Sequence, residues 1–419
     1  MRGRYNPLLE AGLAGLRSNE APGQLIVGDN TDPWGMTWTK CTNLGISLLT
    51  TLVSEARGLI DAKRARKDVR DTIKVLGKLK GHRGIFPENL ALRGGVKREV
   101  VDGRVRFSSI DSAWVTLALS LVQARYAGDS LGRQAGALIS KQDYRTFVGS
   151  DGMLGAGYYV DASTDDKVED IAFSYQDRNS EARPLLLALV GMGQLPESAW
   201  DKTTYHWEQR DGLELAKGWH YSAFVEMTGA LFFDEAQLAP HSLGKSHENY
   251  ILASLRVAQR NGHQMWGYAP ACDAKNSYAE FGLDRPDSVS PYAAALLTLT
   301  GNTHAVQNLG QILSLFPNNG RALPDGLDPR TGEVSCGVAR LLDQGLLYLA
   351  LNADVLRDLA KRTSWYASAR QRLIAMDIAL AAGMPANALA AGTGAPAGAP
   401  AAAAGASAAA AVAAPPPGN

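Results

Sequence analysis

Asp177 and Glu181 stand four residues apart in FSYQDRNSEAR, residues 173–183, a polar loop that runs into the apolar segment Pro184–Leu189. At that spacing two carboxylates share one face of a helix entry, near the positive end of its dipole. A third acid, Asp111, opens another apolar segment in the same manner within SSIDSAW, residues 108–114. If Ser108 or Ser109 caps that helix, the Asp111 carboxylate is free to project from its mouth. Carboxyls held in unlike surroundings can divide general acid and general base work between them. Aromatic residues recur beside acids: Trp34 and Trp38 in DNTDPWGMTW, Trp219, His220 and Glu226 in GWHYSAFVEM, and Trp266 and Tyr268 upstream of Glu280 in YAEFG. Such rings stack on the apolar faces of sugars while carboxylates accept hydroxyl hydrogen bonds. The combined chemistry is that of carbohydrate binding and cleavage.

Each of these residues has a plainer role to set beside it. Arg178 and Arg183 flank the Asp177/Glu181 pair, so a structural ion-pair network competes with catalysis. Glu88, in the turn HRGIFPEN, reads as a solvated acid, Thr42 and Asn43 as helix caps, and Asp343 in DQG as another cap.

Positioning these groups falls to helices. Residues 44–61 and 64–80 carry apolar side chains at helical spacing across a short polar connection, which predicts an antiparallel hairpin. The pattern recurs at 110–126 and 129–142, 180–193 and 221–235, 246–260, 290–300 and 303–316, and 339–353 and 366–381. About six helix pairs with long Gly- and aromatic-rich loops on one side predict an all-α (α/α)6 toroid spanning 26–383, with the site at the loop end, an open helical solenoid being the runner-up that would need stronger sequence repetition. The segments 103–108 and 155–160 read as short β hairpins. Residues 1–25 read as a leader segment without the apolar core of a signal peptide, and 384–419, almost wholly Ala, Gly and Pro, as a disordered tail.

Composition excludes several classes. Of 419 residues 46% are hydrophobic, enough for a large core, and Lys+Arg and Asp+Glu both number 42, so no charge excess points to nucleic acid or an anionic membrane. No apolar run approaches the ~18 residues of a membrane span. The seven histidines lack metal-cluster spacing, and the pattern calls for neither metal nor cofactor. Cys41, Cys272 and Cys336 are odd in number and far apart, and read as buried thiols, one long-range bridge being the alternative.

In order along the chain, TNLGISLL, HRGIFPEN, SSIDSAW, SEAR, MTGALFF, SLGKSHENY, NGHQMWGYAPACD, SVSPYAAALL and DPRTGEVS with LLDQGLLYLAL resemble one family. It is the glucoamylase-like (α/α)6-barrel group, which includes bacterial endo-β-1,2-glucanases and the glucoamylase-like domain of cyclic β-1,2-glucan synthases. The resemblance covers roughly residues 26–355. It implies hydrolysis or transglycosylation of a β-glucan or a bacterial exopolysaccharide, with β-1,2-glucan as lead substrate, Glu181 as the acid of SEAR and Asp111 as the second carboxylate. It further implies a periplasmic or secreted setting and partners in polysaccharide synthesis or export. Trp34, Trp38, Asp177, Arg178, Trp219, His220, Glu226, Trp266, Tyr268 and Glu280 are the expected sugar contacts. The chain departs from the family pattern in having Asp111 where Glu is usual, Ser108 where a further acid often precedes it, and Phe224 in place of an expected acid, with Glu226 out of register. Two alternatives therefore stay open: a non-catalytic glycan-binding toroid, and a polysaccharide lyase built on His220 and Tyr221.

Overall fold

The computed structural model describes residues 28–29, 37–93, 95–273, 278–316 and 322–388. Trp34, the leader segment before residue 26 and the tail beyond 388 lie outside the described residues.

Six inner helical elements form a ring. They are α1 (Cys41–Ala56), α3 (Ser109–Arg125), α5 (Ala182–Gly191), α6 (Ala223–Met227) with the turn Thr228–Leu231, α8 (Pro291–Leu297) and α10 (Leu341–Leu351). Packing runs from α1 to α3, α3 to α5, α5 to the 228–231 turn, α6 to α8, α8 to α10, and α10 back to α1. The toroid expected from the sequence is thus formed. Burial explains the sorting into inner and outer layers. Thirteen of the 17 residues of α3 are buried, whereas α2 (Ala62–Lys78) buries only Ala65, Val69, Thr72, Ile73 and Leu76 along one stripe. The other outer helices are α4 (Ser130–Ile139), α7 (Lys245–Asn261), α9 (Thr303–Ser314) and α12 (Tyr366–Ala381).

Two pairings differ from the sequence expectation. The stretches 180–193 and 221–235 supply α5 and α6, both inner elements, and the helix packed outside α5 is the C-terminal α12. Sequence adjacency misleads here because residues 192–222 hold a short helix, Ser198–Asp201, and a hairpin of two strands rather than a tight helical turn. The end of the ring away from the site is crossed by α11 (Ala353–Ala360), which packs on α1, α3, α10 and the 228–231 turn. There Arg57, just past α1, donates to Asn352 Oδ1 at 2.9 Å.

At the other end short sheets hold the loops. In the first, β1 (Trp38–Lys40) pairs antiparallel with β2 (Asn89–Ala91), with Lys40 opposite Asn89, and β2 pairs with β3 (Lys97–Arg98). In the second, β4 (Arg104–Ser108) pairs with β5 (Gly157–Asp161), which pairs with β6 (Lys167–Asp170). The two segments read as separate hairpins are therefore partners of each other. Along β4, Val105 and Phe107 face inward while Arg104 and Arg106 alternate with them.

Cys272 and Cys336 form a disulfide, which corrects the expectation of three thiols; Cys41 alone is free, and buried. The bridge joins the hairpin Ala271–Cys272/Tyr278–Ala279 to the hairpin Gly326–Leu327/Val334–Cys336. Ala386, inside the stretch 384–419 read as a tail, is tied to the ring, its carbonyl accepting from Arg178 at 2.9 Å.

Candidate active site

The N-termini of α1, α3, α5 and α10 open at one end of the ring, and each brings a polar group to it. Ser108 caps α3, its hydroxyl accepting from the Asp111 N–H at 3.2 Å, so Asp111 in the first turn is free to engage elsewhere. Its Oδ1 accepts from the Thr42 hydroxyl at 2.5 Å. Thr42 is therefore a partner of the acid as well as part of the helix start.

Glu88 is only 2% exposed, not solvated as the sequence suggested. The turn places it between β2 and β4, where its N–H donates to the Arg106 carbonyl. Its carboxylate meets Lys40 at 3.1 Å and Arg106 at 2.8 Å, two cations neutralising one buried acid. Burial works against the Lys40 charge, but Glu88, Asp111 and Asp29 outweigh it and hold the ammonium firmly protonated.

Glu181 immediately precedes α5. Burial and the nearby Asp111 charge push its carboxyl up to about 7, against the opposing pull of Lys40. Tyr175 reaches its Oε1 at 3.5 Å. Asp111 goes the other way: burial disfavours its charge, yet Lys40, the Ser108 and Thr42 hydrogen bonds and Arg106 together hold it below the ordinary aspartate value. The two carboxyls thus interact while titrating in opposite directions.

Aromatic side chains edge this cluster. Phe173, Trp219 and Tyr278 are among the exposed large apolar residues, and the Tyr278 hydroxyl lies in the field of Glu181, Glu280, Lys40 and Arg340. Glu280 accepts from the Trp219 indole N–H at 2.7 Å and meets His220 Nε2 at 3.2 Å. His220 and Tyr221 adopt left-handed backbone angles, φ 49° and 46°, costly for non-glycine residues and concentrated at functional loops. This turn presses on Gly282, where a Cβ would fall 1.8 Å from the His220 carbonyl oxygen.

A second carboxyl pair lies beneath Arg340, whose guanidinium stacks on Tyr278 at 4.9 Å. Asp325 is wholly buried, accepts from the Cys272 N–H at 2.7 Å and meets Arg340 at 3.3 Å. Burial and the facing Asp325 push Asp343 well above the carboxylate range. Asp343 belongs to the first turn of α10 and is not its cap. The Cys272, Asp325 and Cys336 donor atoms lie within 4.8 Å of one another. With both sulfurs committed to the disulfide, that trio offers a metal one carboxylate, which does not make a site.

Of the expected sugar contacts, Trp219, His220 and Glu280 come together at the mouth, and Trp38 is half-buried in β1. Others have structural duties. Asp177 faces Lys217 at 3.8 Å. Arg178 is buried, stacks on Trp200 at 4.7 Å and donates to Thr203. Trp266 and Tyr268 are core residues, the Tyr268 hydroxyl meeting His263 at 2.9 Å. Glu226 is 3% exposed and bound to His247 and Asn179. Phenol chemistry at Tyr221 is also disfavoured: burial and the Glu208 hydrogen bond push it up to about 12.

Sequence reasoning missed Lys40, Arg106, Arg340, Asp325 and His247. Lys40 directly precedes the α1 pattern and His247 sits in SLGKSHENY, so both were in view without a pairing to single them out.

No family model and no curated protein matches the chain. Solved structures do. An endo-β-1,2-glucanase from Chitinophaga pinensis, solved with sophorotriose and glucose, superposes with TM-score 0.70 at 13% identity over 88% of this chain and 97% of that one. An endo-β-1,2-glucanase from Talaromyces funiculosus with sophorose gives 0.68 at 12% identity over 92% of each. A candidate glucoamylase from Bacteroides fragilis gives 0.71 at 13% over 87% and 94%. Likeness at this identity is a statement about architecture, and the architecture is that of the glucoamylase-like (α/α)6 toroids.

Proposed function

We propose that the protein is a glycoside hydrolase acting on a β-glucan, with β-1,2-linked glucan as lead substrate, Glu181 as general acid and Asp111 as the ionised partner. One observation carries this reading: two interacting carboxyls at one ring mouth are driven apart in proton affinity, Glu181 up to about 7 and Asp111 below its ordinary value. Glycoside hydrolysis needs that division of labour. Protonated Glu181 gives its proton to the departing glycosidic oxygen. Ionised Asp111, oriented by Thr42, takes a proton from water or attacks the anomeric carbon, and the anomer released distinguishes the two. Trp219, fixed by Glu280, and the exposed Tyr278 ring offer sugar platforms. The β-1,2 linkage is supported by the endo-β-1,2-glucanases among the structures that share the fold.

Against the lyase alternative stands the Tyr221 phenol, which is engaged by Glu208 and raised rather than lowered. The test is reducing-end release from linear β-1,2-glucan beside β-1,3-, β-1,4- and α-glucans, with Glu181→Gln and Asp111→Asn in parallel. Activity on one polymer that both variants lack supports the assignment. Turnover retained in both variants, or no polymer cleaved by the wild type, overturns it.

A further inference from the structure

Beneath the Glu181 turn lies a buried charge cluster that the reaction as written does not use. Arg183 of α5 donates to Glu235 through Nε at 2.8 Å and Nη2 at 3.0 Å. Glu235 belongs to the short helix Glu235–Leu238, and its Oε2 also meets His247 Nε2 of α7 at 3.2 Å. The other ring nitrogen, Nδ1, meets Glu226 Oε1 of α6 at 2.8 Å. Glu226 Oε2 then accepts from Asn179 at 2.7 Å, and Asn179 Oδ1 accepts from Arg183 Nη1 at 2.7 Å. The circuit closes on itself. None of the four charged side chains is more than 3% exposed.

We propose that this circuit is a positioning device for the proposed hydrolysis, with His247 as a buried imidazolium that holds Asn179 and Arg183 and thereby fixes Glu181 between them. The inference rests on the functional reading above in its kinetic part only. Geometry makes the imidazolium case: both ring nitrogens face carboxylates, and a neutral ring donates from one nitrogen alone. Charge gives the same result, since Arg183 and His247 balance Glu226 and Glu235. The groups facing the ring from the packed elements are Arg183, Glu226 and Glu235, with Ser246 and Tyr205 against Glu226 and Tyr250 beside it. His247 keeps its proton well into the alkaline range, to about 9, because the two carboxylates outweigh the cost of burial.

Asn179 and Arg183 bracket Glu181 by two residues on each side, so slack in the circuit reaches the acid through a few backbone bonds. Space for the circuit is specific: a Cβ at Gly229 would fall 2.2 Å from Glu235 Oε1 and 2.9 Å from Arg183 Nε. Gly229→Ala therefore wedges the pair apart without deleting a charge.

The test compares His247→Gln and Gly229→Ala with wild type at a temperature where circular dichroism reports all three folded. Two readouts are taken. On β-1,2-glucan oligomers, kcat is expected to fall about 100-fold in His247→Gln, the scale of a small misplacement of a reacting group, with KM within about threefold. By hydrogen exchange, the amides of residues 179–183 are expected to lose protection while those of α2 and α9 keep theirs. Folded variants with wild-type kcat and unchanged exchange at 179–183 overturn the inference. Should the wild type cleave no glucan, the functional reading fails, and the exchange experiment still decides whether the circuit holds the Glu181 turn.

Discussion

Replacing Glu181 with glutamine separates the two consequences of its environment, since it should abolish turnover while making the protein more stable at neutral and alkaline pH. The carboxyl titrates at about 7 in the folded chain against an ordinary 4.5. Below 4.5 folded and unfolded forms both carry the proton, and Glu181 imposes no penalty. Between 4.5 and about 7 only the unfolded chain ionises, so folding stability falls as pH rises. Above that the penalty is constant, and at ~1.36 kcal/mol per pH unit it amounts to at most about 3 kcal/mol. Glutamine carries no titrating proton and escapes it. Urea unfolding of wild type and Glu181→Gln at pH 4 and pH 8 measures the difference, expected near zero at pH 4 and about 1–3 kcal/mol in favour of the variant at pH 8.

In the proposed mechanism the same proton controls the rate. Wild-type kcat on β-1,2-glucan should be flat across mildly acidic pH, because Asp111 is held below its ordinary 3.8 and remains ionised there. Above pH 7 it should fall about tenfold per pH unit as Glu181 loses its proton. A variant as active as the wild type, or one that gains no stability at pH 8, refutes the reasoning, because both effects derive from one buried protonated carboxyl.

Other perturbations follow from the same charges. Lys40→Met removes the strongest attraction holding Asp111 low and one of two cations on Glu88. The acid limb of the kcat profile should move upward, and thermal unfolding should report a loss of about 1–3 kcal/mol, because Arg106 still pairs with the buried carboxylate. Asp343→Asn replaces a raised carboxyl facing Asp325 with an amide that donates without a proton to lose. Wild-type stability declines as pH rises through that raised value, so the variant should be the more stable at pH 8 and show no gain at pH 4 in parallel urea titrations. Trp219→Ala should raise KM for glucan oligomers about tenfold with little change in kcat, the size of one lost stacking contact; an unchanged KM would remove that ring from the binding surface.

The layout of the toroid was legible in the sequence because inner helices buried all round read as long apolar stretches, and α3 and α10 were found to within a few residues. Ring order was less legible. Nothing in local periodicity tells that α12 packs outside α5, a contact set by the closing of the ring. At the candidate site, Asp111, Glu181, Trp219, His220 and Glu280 could be singled out because helix mouths and aromatic loops carry a local signature. Glu88 was misjudged, since a turn glutamate is ordinarily solvated, and only the strand pairing of Lys40 with Asn89 and the approach of β4 supply its cations. Glu226, Arg178 and Trp266, expected as sugar contacts, lie buried for the converse reason: their neighbours in sequence are polar or aromatic, but their neighbours in space cover them. Of the cysteines, the 64-residue separation of Cys272 and Cys336 concealed two hairpins brought side by side.

Helix dipoles alone do not explain which carboxyl holds a proton. Asp111 and Asp343 lie in first turns and Glu181 directly before one, so the dipole favours the charged form of all three. Yet Asp111 is lowered while Glu181 and Asp343 are raised. The difference lies in what the neighbouring elements contribute. Beside Asp111, β1 and β4 place Lys40 and Arg106, and α1 adds the Thr42 hydroxyl. Glu181 is raised by burial and by the negative charge of Asp111, which outweigh Lys40 and the Tyr175 hydroxyl, and Asp343 by burial and a second aspartate. Partners delivered by other strands and helices, more than the local helix terminus, set which carboxyl keeps its proton. It follows that exchanging cations between the two mouths should exchange their titration: Tyr175→Lys, which sets an ammonium against Glu181, should bring its carboxyl down and move the alkaline limb of kcat below pH 7. A limb that stays in place in that variant would mean that Glu181 is not the proton donor.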